Sequence, residues 1–116
     1  MENIILIKSK AFAIRIVKLS KYLNENKKEY VLSRQILKSG TSIGANVKEA
    51  IRGQSKPDFY AKMNIALKEA SETEYWLEIL NETDYIDKGL FESIYSDCTE
   101  LIKILMSITK TQKCNS

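Results

Sequence analysis

The side chains able to do chemistry in this chain are unevenly chosen, and the gaps among them decide first what it does not do. There is no histidine. A Ser-His-Asp or Cys-His nucleophile therefore cannot be assembled, and neither can the Glu-x-x-His pairs that hold two iron ions in helical bundles. Glu69, Glu72, Glu74, Glu78 and Glu82 crowd one stretch, but at 100° per residue they spread around a helix instead of converging. They read as surface or interface charges, not as an acid-base pair or a metal cage. Cys98 and Cys114 lack the spacing of a zinc or redox motif, so a reduced thiol in a cytoplasmic protein is expected at both. No enzyme and no cofactor is expected.

Chemistry of a softer kind remains. Lys8, Lys10, Arg15, Lys18 and Lys21 form a basic strip near the start of the chain. Such a strip suits a solvated face, contacts to phosphate, or an acidic partner. Residues 1–28 carry seven basic and two acidic side chains, and residues 29–56 five and two. Residues 57–84 reverse this with two and seven, and the remainder balance at four and four, leaving a net charge of +3. The pI near 8.8 is only mildly basic, so the asymmetry says more about partners than the total does. No aromatic residues alternate with the basic strip to offer a stacking platform.

These groups must be positioned by helices. With four glycines and one proline in 116 residues, the chain lacks the turn signals of a many-stranded sheet, and its length fits one domain. No apolar run reaches the length of a membrane span, and Lys8 and Lys10 interrupt the N-terminal apolar patch, so neither a signal peptide nor a membrane partner is expected. Ile5, Phe12, Ile16, Leu19 and Leu23 fall within an arc of about 60° at 100° per residue, which predicts a first helix over roughly 4–24. Ile36, Ile43, Val47 and Ala50 mark the buried side of a second over 33–53, with Ser33 as its N-cap. Ser55, Pro57 and Asp58 open a third over 57–82. Its Phe59, Met63, Ala66, Ala70, Thr73, Leu77 and Leu80 repeat at alternating spacings of four and three, the seam of a left-handed bundle. Leu90, Ile94, Cys98, Leu101, Leu105 and Ile108 make a comparable stripe over 88–111. The prediction is all-α: one antiparallel, up-down-up-down, left-handed four-helix bundle over 1–116.

Two features ask for something beyond a core. Gly40, Gly44 and Ala45 lie in a run of small residues in mid-helix, where each glycine costs about 1 kcal/mol relative to alanine. Close approach of a neighbouring helix would offset that cost; a phosphate loop would need a GxxxxGK[ST] or GxGxxG arrangement after a strand, and neither is present. Asn46 and Glu49 are expected to cap or bridge neighbouring helices. Ile7, Ile14 and Val17 on the first helix, and Ile65, Trp76 and Ile79 on the third, stand off the core arcs. They predict an oligomer interface, helped by Glu74, Glu78 and Glu82, whose mutual repulsion a basic neighbour would relieve.

The stretch SRQILKSGTSIGANVKEAIRGQSKPDFYAKMNIALKEASETEYWLEIL, residues 33–80, resembles the signature of the bacterial 23S rRNA intervening sequence proteins, also labelled S23. Ser33 and Gln35, the Ser42-Ile43-Gly44-Ala45-Asn46-Val47 core with Glu49, then Ser55, Asp58, Phe59 and the Ala66–Trp76 stretch carry the likeness. Gly44 and Ala50 depart from it, since many relatives have proline and glycine there. The resemblance implies a four-helix bundle assembled into a homopentameric ring. The accessory proteins of diversity-generating retroelements are similar at a greater distance, and that likeness implies binding to nucleic acid and to a nucleic-acid enzyme, a reverse transcriptase. Two functions follow as expectations: an oligomeric, non-catalytic module binding RNA or DNA, or a nucleic-acid enzyme, through the basic surfaces of helices 1 and 2; or a purely protein-binding scaffold whose basic helices complete its own ring.

Overall fold

Each helix starts where a side chain accepts the N–H groups that a first turn leaves without partners. In the computed structural model, which describes the backbone of residues 3–114 and the side chains of residues 3–111, Asn3 Oδ1 accepts from Leu6 N–H (3.4 Å) and opens α1, Ile4–Lys27. Ser55 Oγ accepts from Asp58 N–H (3.2 Å) at the head of α3, Lys56–Glu82, with Pro57 in its first turn. Asp87 does the same for α4, Lys88–Cys114, its Oδ1 taking Leu90 N–H at 2.7 Å.

The second helix starts differently from expectation. It runs Val31–Ile51 with Tyr30 at the cap position, and Ser33 is not the cap. Glu29 Oε1 accepts Ser33 N–H (2.8 Å), a carboxylate at the positive end of the helix dipole. The Ser33 hydroxyl turns inward instead. It donates to Ser20 O (3.2 Å) and lies 2.7 Å from Ser20 Oγ, wholly buried. A hydroxyl partner 13 residues away on another helix outbids the local cap, because buried it would otherwise be left without a hydrogen bond.

The helices also run on past their last apolar residues. α1 continues through the polar run to Lys27, where Lys28 takes a left-handed conformation (φ 54°) and Glu29 N–H returns to Leu23 O at 3.0 Å. α4 passes residue 111 to reach Cys114. Lys, Glu and Gln are good helix formers, so polarity alone stops neither helix.

Short links, three residues between α1 and α2 and four between α2 and α3, make sequential neighbours antiparallel. Among the described residues, helix backbones approach one another in the cyclic order α1–α2–α3–α4–α1, with no close diagonal approach and with α1 and α4 touching least. The result is an antiparallel, up-down-up-down four-helix bundle of 46 × 24 × 21 Å, and the described residues contain no strand. The predicted stripes meet at its centre. Ile5, Phe12, Ile16, Leu19 and Leu23 pack with Ile36, Ile43, Val47, Met63, Ala70, Leu77, Ile94, Leu101 and Leu105, all at most a few per cent exposed. Phe59, Leu90 and Ile108 are only partly buried, flanking that core.

Polar pairs thread the core. Thr73 Oγ1 lies 2.8 Å from Ser39 Oγ, tying α2 to α3, and the Cys98 thiol donates to Ala70 O at 3.4 Å between α4 and α3. The small residues of α2 meet α1. A methyl group on Gly40 would stand 2.8 Å from both Ile16 Cγ1 and Cγ2; one on Gly44 would stand 3.3 Å from Ser9 O. The close approach thus falls at Gly40 and Gly44, while Ala45, one residue around the helix, is exposed.

Candidate nucleic-acid interface and self-association faces

The five basic residues of the α1 strip, Lys8, Lys10, Arg15, Lys18 and Lys21, do not share one face. Lys8 Nζ pairs with Glu100 Oε2 of α4 at 3.1 Å, and Arg15 Nη1 with Asp97 Oδ2 at 2.7 Å. Their long stems lie along the α1–α4 seam above buried Phe12, as amphipathic cations commonly do. Lys10, Lys18 and Lys21 stay exposed and make no ion pair among the described residues.

A stronger basic feature lies on α2. Arg34, Lys38, Thr41, Ala45, Lys48 and Arg52, the last at the C-cap just past α2, are spaced 4, 3, 4, 3 and 4, which places them on one side of the helix and its end. All are exposed except Thr41, which is half-buried. None of the four cations forms an ion pair among the described residues. The one carboxylate within α2, Glu49, turns to α3, where Lys62 Nζ meets it at 3.1 Å. Glu49 thus bridges helices as expected, whereas Asn46 bonds only within its own helix, to Ser42 O at 2.8 Å. Beside this stripe a shallow cleft between α1 and α2 has Leu6, Ala13, Gly44 and Ala45 as its floor and Lys10 and Lys48 at its rims.

The off-core apolar residues sort into two seams. On α1, Ile7, Ile14 and Val17 are 50%, 49% and 42% exposed, with Lys10 and Lys21 between and beyond them at the same spacing. On α3 the outward series is Ala61, Ile65, Lys68, Glu72, Tyr75, Ile79 and Glu82. Ile65 is exposed and Ile79 half-buried. The aromatic on this seam is Tyr75, 54% exposed. Trp76, expected in that place, is half-buried against the core, its Nε1–H donating to Glu72 Oε2 at 3.2 Å. Its ring meets Tyr75 edge-on at 5.1 Å.

The carboxylates of α3 divide as well. Glu82 and Glu72 remain exposed, but Glu74 and Glu78 are half-buried and face α4, where Glu78 Oε2 accepts the Tyr95 hydroxyl at 2.7 Å. That hydrogen bond, followed by burial and the charge of Glu74, pushes the Tyr95 hydroxyl well above the usual tyrosine range. Burial foremost, then Glu74, Asp97 and Glu78, pushes the Cys98 thiol up to about 12. Both groups are held in their protonated forms, the opposite of an activated nucleophile. Among the described residues no three His, Cys, Asp or Glu side chains gather as a metal site would require. No helix described is long and apolar enough to cross a membrane. The side chain of Cys114 lies outside the described residues.

These surfaces belong to a known architecture. Residues 1–107 match the family described as 23S rRNA-intervening sequence protein. A crystal structure of a protein of unknown function, from the S23 ribosomal protein family of Bacteroides thetaiotaomicron, superposes with a TM-score of 0.90. It is 57% identical, over 91% of this chain and 98% of that one. No curated protein matches the chain. With four helices in the order and packing described and a match over nearly its whole length, the chain belongs to the 23S rRNA-intervening sequence protein family.

Proposed function

We propose that the protein is a non-catalytic, self-associating module of the cytoplasm that presents the outer face of α2 to the phosphates of nucleic acid. The observation that carries this reading is the stripe Arg34, Lys38, Lys48 and Arg52: four exposed cations on one helix face, none answered by a carboxylate of the bundle among the described residues. Cations left free in this way exchange a loose ion atmosphere for phosphates, and the release of condensed counterions drives binding. Lys8 and Arg15 contribute less, since Glu100 and Asp97 already occupy them. A nucleic-acid enzyme carrying RNA or DNA is a further partner for the same face.

Self-association follows from the two seams. The α1 seam carries Lys10 and Lys21 among its isoleucines, and the α3 seam carries Glu72 and Glu82 beside Ile65, Tyr75 and Ile79. Laid against each other between neighbouring copies, they bury apolar surface and pair opposite charges. A contact between two different faces closes into a ring when its rotation allows, and the family resemblance supports a pentamer as its size.

Light scattering on a sizing column tests the assembly. The mass expected is several times the 13.3 kDa chain, lowered by Tyr75→Glu with the helical circular dichroism unchanged. A wild-type monomer at tens of micromolar, or an unchanged mass for the variant, would remove the α3 seam from the account. Absence of binding to RNA and DNA at low salt, with the ring intact, would leave the protein-only scaffold as the function.

A further inference from the structure

We infer that α2 lies across the major groove of a B-form DNA duplex, with its two cation pairs on the phosphates of the two rims and no base read between them. This rests on the proposal that the α2 stripe binds nucleic acid, and it fixes which form of nucleic acid fits.

The stripe is not uniformly charged. Arg34 and Lys38 form one basic pair and Lys48 and Arg52 another, with Thr41 and Ala45 between them. At a rise of about 1.5 Å per residue, Lys38 and Lys48 stand about 15 Å apart along the axis, and Arg34 and Arg52 about 27 Å. The major groove of B-DNA is about 12 Å wide and the minor groove about 6 Å. The inner cations thus bracket the major groove with reach to spare for phosphates on either side, while the minor groove is too narrow for that gap. Each outer cation lies about 6 Å further along the axis, beyond the rim, where its long side chain reaches back to the same phosphate backbone.

The neutral window defines what the helix does over the groove. Ala45 offers a methyl group. The Thr41 hydroxyl is spent on its own helix, donating to Leu37 O at 2.7 Å. Nothing long and polar reaches from this window toward base edges, so the contact is with phosphate and carries no sequence information. α2 is also packed on both flanks, by α1 at Gly40 and Gly44 and by α3 at Ser39. It rests across the groove and does not enter it.

Other forms of nucleic acid fit less well. An A-form RNA duplex has a deep, narrow major groove, which a gap of about 15 Å overshoots. Its wide, shallow minor groove is recognised through its 2′-hydroxyls, to which the window of Ala45 and the internally bonded Thr41 offers no free polar group. A single strand is held by bases stacked on aromatic rings. The stripe from Arg34 to Arg52 contains no aromatic residue; Tyr30, exposed, stands beyond its end.

The test uses the full chain and fluorescence anisotropy with four labelled 24-residue probes: a DNA duplex, a DNA duplex of unrelated sequence, the RNA duplex and the DNA single strand. The two DNA duplexes are expected to bind equally, and at least tenfold more tightly than the RNA duplex or the single strand. Arg34→Gln with Lys38→Gln, or Lys48→Gln with Arg52→Gln, should each flatten the salt slope on duplex DNA by about 1.8, from roughly 0.9 per phosphate contact. RNA duplex or single strand binding as well as duplex DNA would overturn the groove placement while leaving nucleic-acid binding intact. So would an unchanged salt slope in either variant of unaltered circular dichroism, or strong preference for one DNA sequence. No binding of any probe at 50 mM salt would overturn both.

Discussion

Two glycines four residues apart on α2 are predicted to respond differently to the same substitution, one losing stability and the other nearly unchanged. Gly40→Ala places a methyl group 2.8 Å from Ile16 Cγ1 and Cγ2 and 3.1 Å from Ile16 Cβ. Ile16 is completely buried, and its branched side chain has one strongly preferred rotamer in a helix. The α1–α2 spacing must therefore open. Overpacking of this kind costs about 1–3 kcal/mol, and three tight atoms on a stiff neighbour put Gly40 near the top of that range. Alanine recovers about 1 kcal/mol of helix propensity, leaving a net loss of about 2 kcal/mol, or roughly 8 °C in melting temperature for a domain of this size. Gly44→Ala meets Ser9 O and Oγ at 3.3 Å, a clash that a shift of a few tenths of an ångström relieves. The cost and the propensity gain then nearly cancel, to within about 0.5 kcal/mol. Urea unfolding followed by circular dichroism, at one protein concentration for all variants, measures both. Adding Ile16→Ala to Gly40→Ala should cost less than the two changes summed, because it removes the colliding atoms. A Gly40→Ala protein as stable as wild type, or strict additivity with Ile16→Ala, would refute the close approach of α1 and α2 as the reason for glycine.

The Ser39–Thr73 hydroxyl pair predicts that Thr73→Val costs about 1–3 kcal/mol by leaving a buried hydroxyl short of its partner, while the double variant with Ser39→Ala lies closer to wild type; additive urea midpoints would contradict this. Cys98 is an acid whose protonated form the fold favours, so its contribution is complete below the unfolded value near 9 and is lost as pH rises toward about 12. Tyr95, shifted in the same direction, adds a loss of the same sign at high pH. Stability measured by urea titration should thus fall above pH 9, and in a Cys114→Ser background native protein should resist iodoacetamide at pH 8 until it unfolds; stability rising through that range, or alkylation at the rate of a free thiol, would contradict it.

The bundle was legible because a period of 3.6 residues leaves its mark directly on the chain. The stripe from Ile5 to Leu23 and the four-three seam from Met63 to Leu80 are buried as that period requires, and the Ser55-Pro57-Asp58 start holds. Features that depend on a partner from another helix were not legible. Ser33 looks like a cap in one dimension, and only the Ser20 hydroxyl across the α1–α2 contact shows why it turns inward. Lys8 and Arg15 lie toward the α4 flank of α1, and it takes Asp97 and Glu100 to draw them there. Trp76 flanks the core while its neighbour Tyr75 faces out, a difference of one residue, or about 100° of helix. The α2 stripe sits in the sequence at one-face spacing from Arg34 to Arg52. What the sequence withholds is that no carboxylate of a neighbouring helix reaches those cations among the described residues.

The central claim, that phosphates are met by the free cations of α2 and not by the paired cations of α1, is tested most directly by comparing salt slopes of two variants on one DNA duplex. Neutralising Arg34, Lys38, Lys48 and Arg52 to glutamine should remove a slope of about 3.6 in log affinity against log salt, from roughly 0.9 per contact. Neutralising Lys8 and Arg15 should leave the wild-type slope in place, since Glu100 and Asp97 hold those side chains. The reverse pattern, a slope that survives loss of the α2 quartet and collapses with Lys8 and Arg15, would contradict the account.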